Sequence, residues 1–196
     1  MDRAALVSEL ASRICALAPN PATRVAIDGV DASGKTTLAD PLVEPIARAG
    51  RAVTRLCVDD FLNPAESRYR RGRDSPEGYY RDSFDYAAVR AAVAAAAAPG
   101  TVVVVDGVFL LRPELLGCWT FSIFLRASFT VTVARAVARD SARLGGAEAT
   151  LDRYARRYVP GQELYFAEAQ PELHASVIVD NDDFERPTIV ACHKSL

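Results

Sequence analysis

GVDASGKT occupies residues 29–36, with the β-favouring run TRVAID at 23–28 before it and a helical pattern from Lys35 onward. Gly29, Gly34, Lys35 and Thr36 satisfy the spacing GxxxxGK[ST], and a strand before with a helix after is the context that confirms a phosphate-binding loop. By average composition the pattern arises by chance in on the order of one chain in a hundred of this length. Glycines let backbone N–H groups curl around phosphate oxygens, and the helix N-terminus adds its partial positive charge. Lys35 is then expected to reach the β and γ phosphates of a nucleotide, and the Thr36 hydroxyl to ligate Mg2+.

Outward from this stretch, apolar runs at Val53–Val58, Thr101–Val105, Phe121–Leu125 and Ser176–Val179 read as further strands. The valines of the second run do not alternate with polar residues, which marks a strand buried on both faces of a parallel sheet. Helical spacing appears over 2–18, within the N-terminal segment 1–20, and again at 84–98, 129–144 and 149–169, with Gly145 and Gly146 separating the last two. Pro41 and Pro45 predict a kink or an early stop in the helix after the loop. Residues 61–82 are polar and rich in arginine and tyrosine, and read as a long acceptor-side loop or lid. The order of elements points to one α/β domain over 1–196, with a doubly wound parallel sheet.

Composition excludes several classes. Half of the 196 residues are hydrophobic and 24% are charged, ordinary for a globular chain. No apolar run reaches the length of a membrane span, and the N-terminus does not read as a signal peptide, so a cytoplasmic location is expected. Cys15, Cys57, Cys118 and Cys192 form no CxxC pair, and only His174 and His193 accompany them, so neither a zinc site nor a disulfide framework is suggested. A net charge of −2 gives no general reason to bind nucleic acid. The expected partner is a small molecule, with neither nucleic acid nor membrane, and association as a homo-oligomer is left open. Of 23 basic residues all but Lys35 and Lys194 are arginine, so the lysine in the loop stands out as a compact, flexible point charge.

Asp106 follows the valine run and so ends a buried strand, where open α/β sheets bind ligands. It is the expected magnesium ligand, with a cap on the next turn as the alternative. Asp59 and Asp60 end the neighbouring strand, and side chains that alternate allow only one of them to face the phosphates. Asp59 is the chosen proton acceptor for an attacking hydroxyl. Arg135, Arg139 and Arg143 recur every four residues within the arginine-rich segment 135–157, and share one helix face. That row either closes over a nucleotide or is a solvated face paired with Asp140. Arg68, Arg70, Arg71, Arg73 and Arg81 raise the same question, and Tyr79 and Tyr80 either stack on a planar ring or pack in the core.

DGVDASGKTT at 28–37, VDDF at 58–61, FDY at 84–86, VVVDGVFLL at 103–111 and ARAVARD at 134–140 together resemble uridine kinases and their relatives, the nicotinamide riboside and pantothenate kinases and phosphoribulokinase. The resemblance covers about residues 23–182 and implies a three-layer P-loop NTPase fold with a helical, arginine-bearing lid. It implies an ATP- and Mg2+-dependent kinase that phosphorylates a hydroxyl of a small molecule, a nucleoside first, with nicotinamide riboside or another small alcohol as the alternative. Gly29, Asp31, Ala32, Ser33, Gly34, Lys35, Thr36 and Thr37 would bind the nucleotide, and Thr36 and Asp106 the metal. Lys35, Asp59, Arg135 and Arg139 would be catalytic. Asp59, Phe61, Tyr79, Arg81 and Asp85 would face the acceptor, with Asp85 on ribose hydroxyls. Two departures stand out: Asp106 replaces the usual glutamate, and Ala98-Pro99-Gly100 leads straight into the strand where uridine kinases carry a base-recognising insertion. A hydrolase or switch is the reading from another class, weakened by the lack of an NKxD guanine-reading motif.

Overall fold

The computed structural model describes residues 1–192, so His193 and Lys194 lie outside the described residues. Six strands, β1 (Thr23–Gly29), β2 (Ala52–Cys57), β3 (Thr101–Asp106), β4 (Phe121–Arg126), β5 (Val177–Asp180) and β6 (Thr188–Cys192), form one sheet in the order β2-β3-β1-β4-β5-β6. The first five run parallel, and β6 pairs antiparallel with β5 at the edge. Nine helices accompany them among the described residues: α1 (Arg3–Cys15), α2 (Lys35–Arg48), α3 (Ala65–Arg68), α4 (Pro76–Asp82), α5 (Tyr86–Ala96), α6 (Phe129–Leu144), α7 (Ala147–Arg153), α8 (Val159–Ala169) and α9 (Pro171–His174). None of them is long and apolar enough to cross a membrane.

The alternation of β3 sets up both cores. Val102 and Val104 face α1 and α2 with Leu6, Leu10, Ile14, Leu38, Leu42 and Ile46, whereas Val103 and Val105 face Val89, Val93, Phe109 and Tyr165. All four valines are fully buried, as a central parallel strand covered on both faces requires. Side-chain period two then puts Asp106 on the face of Val102 and Val104, toward the start of α2. By the same rule Asp28 falls on the face of Ala26, toward Tyr165. The chain leaves β1 into the α2 layer and leaves β3 into the opposite layer, so the carboxyl ends of these two neighbours open a crevice.

Several expectations change. α2 runs unbroken to Arg48 with both prolines inside it. Each proline costs about 3 kcal/mol in a helix interior, but Leu38, Leu42 and Ile46 are each fully buried on one stripe, and burying such a side chain returns about 1.5–3 kcal/mol. The segment 61–82 is not one loop: a 3-10 turn at Val58–Phe61, α3 and α4 lie along it, and Tyr79 and Tyr80 of α4 pack edge-on against Phe109. The helix expected over 149–169 is α7 and α8 joined through a π-helical turn at Tyr154–Tyr158. The edge strand β6 had no counterpart in the sequence reading.

Candidate active site

β1 delivers Gly29 into the loop at φ 153°, and a Cβ there would stand 2.6 Å from the Leu125 carbonyl oxygen. Ala32 at φ 56° and Gly34 at φ 96° are left-handed, which turns successive N–H groups to the inside of the curve. The loop divides its amides between two uses. Those of Gly29, Asp31 and Ser33 donate to the Asp28 carboxyl, Gln162 Oε1 and the Val30 carbonyl. Those of Ala32, Gly34, Lys35, Thr36 and Thr37 have no partner among the described residues, and they end at the N-terminus of α2. An anion set there meets five unspent donors and the positive end of a helix.

Two adjoining cavities open from this loop. The first, about 330 Å3, is lined by loop residues 31–37 apart from Ser33, together with Asp59, Asp106, Arg139 and Arg143. Lys35 lies across it with Nζ on the Val30 carbonyl at 2.8 Å. The Thr36 hydroxyl donates to Asp106 Oδ2 at 2.6 Å, and Arg55 Nη2 holds the other carboxylate oxygen at 2.9 Å. Thr36 and Asp106 thus offer hard oxygen donors of the kind magnesium takes. Cys57 also lines this cavity, but burial pushes its thiol up to about 11, so it stays protonated and unreactive near neutrality.

The second cavity, about 250 Å3, shares Asp31, Asp59, Val108, Arg139, Asp140 and Arg143 with the first. Its remaining wall is Leu62, Arg68, Tyr69, Tyr79, Ser83, Phe84, Tyr154, Arg157 and Tyr158. Asp59 therefore sits at the junction, on the 3-10 turn after β2, while Asp60 lines neither space. Burial raises the Asp59 carboxyl above its ordinary value, the neighbouring charge of Asp31 raises it further, and Lys35 and Arg139 pull the other way. Asp31 is fixed by the Tyr79 hydroxyl, which donates to Oδ2 at 2.6 Å.

The other candidates separate. Thr37 lines the first cavity and Tyr79 the second. Ser33 is buried beneath the loop, with its carbonyl held by Asn181 Nδ2 at 2.6 Å. Arg139 and Arg143 line both cavities and share Asp140, so the cleft and the ion pair that stood as alternatives occur together. Arg135 lines neither; its Nη2 donates to the carbonyls of Asn181 and Asp182 at 2.9 Å, one turn beyond the crevice. Phe61 packs against the core, Asp85 caps α5 with Oδ1 on the Ala88 N–H at 2.9 Å, and Arg81 pairs with Glu168; none of the three lines either cavity.

Sequence reasoning passed over Gln162, Asp28, Arg55 and Asn181. Asn181 directly follows β5, and the rule that ligands gather at strand carboxyl ends would have found it. Asp28 is fully buried and accepts from the Gly29 N–H, the Leu111 N–H and the Tyr165 hydroxyl, with burial raising its carboxyl. Nothing local marks Gln162, a polar residue inside α8.

No protein-family model matches the sequence, and no curated protein does. Among solved structures, one described as a "Possible Uridine Kinase from Bacillus stearothermophilus" superposes with a TM-score of 0.70 at 19% identity, covering 88% of this chain and 96% of the other. A second, a "putative fructose transport system kinase from Silicibacter sp. TM1040", gives 0.71 at 22% identity, over 86% and 96%. The fold is that of the P-loop kinases. At these identities the likeness is one of architecture alone.

Proposed function

We propose that the protein is an ATP-dependent kinase that transfers the γ-phosphate to a hydroxyl of a small molecule, with a nucleoside the first acceptor to try and nicotinamide riboside or another small alcohol next. One observation carries the reading: a carboxylate with a raised proton affinity, Asp59, stands at the junction of a phosphate-loop cavity and a second cavity able to receive an acceptor. A hydrolase has no need of that second space.

In this reading the free amides of Ala32 and residues 34–37 bind the phosphates, and Lys35 exchanges the Val30 carbonyl for them. Thr36 and Asp106 would hold magnesium, which would supply charge neutralisation on the phosphate oxygens. Asp59 accepts the proton of the acceptor hydroxyl as its oxygen attacks phosphorus. Arg139 and Arg143 offset the charge that develops on the transferred group. Screening nucleosides, nicotinamide riboside, pantothenate and sugars for acceptor-dependent ADP release tests this. ADP release that no acceptor stimulates makes the protein a hydrolase or a switch instead.

A further inference from the structure

The second cavity holds more positive charge than phosphoryl transfer uses. Arg139 and Arg143 line both cavities and are paired with Asp140, but Arg68 and Arg157 line only the second, away from the P-loop. Neither has a carboxylate partner among the described residues. Arg157 lies on the π-helical turn and is 2% exposed. Its Nη1 donates to the carbonyls of Arg73 at 3.0 Å, Ser75 at 3.1 Å and Gly72 at 3.5 Å, its Nη2 donates to the Arg68 carbonyl at 3.4 Å, and the rings of Tyr69 and Tyr79 stand 5.1 and 5.7 Å from the guanidinium. Dipoles and ring faces orient that cation without neutralising it, and a buried charge without a counter-ion is costly. Burial accordingly pulls Arg157 below the ordinary arginine value. Arg68 spends Nε on the Asn63 carbonyl at 2.8 Å, and its two terminal nitrogens have no hydrogen-bond partner among the described residues. A guanidinium edge of this kind suits the paired oxygens of a carboxylate or phosphate. A neutral nucleoside offers it no such group.

Resting on the kinase reading, we propose that the acceptor is an alcohol that also carries an oxyanion, a phosphate or a carboxylate, held by Arg68 and Arg157 at the tyrosine-lined end of the second cavity while its hydroxyl lies at Asp59. At 250 Å3 the space falls below the usual range of about 300–1,000 Å3 for ligand pockets, which favours a sugar phosphate or sugar acid over a nucleotide.

The test compares matched acceptors on one carbon skeleton: ribose, ribonate and ribose 5-phosphate, then glycerol, glycerate and glycerol 3-phosphate. Acceptor-dependent ADP release gives kcat/KM for each, and the carboxylate and phosphate arms tell the two sources of the oxyanion apart. A charged form is expected to exceed its neutral parent by about tenfold or more, the equivalent of one charge-assisted contact. R68M is expected to raise the KM for that charged acceptor by about tenfold or more while the KM for ATP stays within about twofold. R157M risks unfolding the 72–75 turn that Arg157 holds, so R68M decides. Neutral parents equal to or better than their anions, or an R68M effect on kcat alone, overturn the oxyanion site and leave the kinase standing. No ADP release above background in either series, with the nucleosides also silent, removes both.

Discussion

Adding one methyl group at Gly107 probes the spacing on which the site depends. Gly107 follows Asp106 at the end of β3, and a Cβ built there would lie 2.1 Å from Val58 Cγ1 and 2.5 Å from Val58 Cβ. Val58 opens the 3-10 turn that carries Asp59 and is itself fully buried, so it cannot rotate into solvent. G107A must therefore part the turn bearing the proposed base from the strand bearing the proposed metal ligand. Overpacking of this kind costs about 1–3 kcal/mol, and in a domain of this size each kcal/mol moves the melting temperature by about 2–4 °C. Taking the middle of the range, scanning calorimetry should find Tm lower by about 4–8 °C. Displacing Asp59 from the junction should also lower kcat at least about tenfold, since misplacement by an ångström can cost a hundredfold. A variant with Tm within 1 °C of the wild type and full turnover would refute the close approach of the two segments.

Removing the charge of Asp31 takes away the second contribution that raises Asp59. A base acts deprotonated, so the acid limb of the kcat/KM profile lies above the ordinary carboxylate value of 3.8, and D31N should move it to lower pH. An acid limb that stays put or moves upward contradicts the coupling. In D28A, the buried Gly29 N–H and Tyr165 hydroxyl lose their acceptor, and urea unfolding should show a loss of about 2–6 kcal/mol at acid pH, given about 1–3 kcal/mol per orphaned group. Because burial raises the Asp28 carboxyl, the wild-type advantage is full below its unfolded value of 3.8 and shrinks as pH rises through the folded-state value. An advantage that grows with pH runs against this sign.

What could be read directly from the sequence was whatever local chemistry dictates. The phosphate loop is defined by its glycines and Lys35, and the unbroken valines of β3 announce burial on both faces, with Asp106 at the end of that strand. Tertiary contacts decided the rest. The prolines of α2 gave the wrong stop because the stripe of Leu38, Leu42 and Ile46 outweighs them, and α4 stayed hidden because its polar sequence is held by two tyrosines in an aromatic cluster. β6 alternates exposed and half-buried residues and lies at the sheet edge, so its five residues carry only a faint pattern. The arginine row shows the same limit at the site. Spacing of four puts Arg135, Arg139 and Arg143 on one face, yet only the neighbours that arrive from elsewhere decide that Arg135 meets the 181–182 carbonyls while the other two meet the cavities.

The central claim, that Asp59 activates an acceptor hydroxyl beside phosphates gripped at residues 29–36, is tested most directly by acceptor-dependent ADP release from wild type, K35A and D59N. Both variants should fold as the wild type does, and D59N should also keep its affinity for ATP, yet each should lose about a hundredfold or more in kcat, the scale of electrostatic and general-base contributions. Acceptor-stimulated turnover that persists at the wild-type rate in D59N would contradict it.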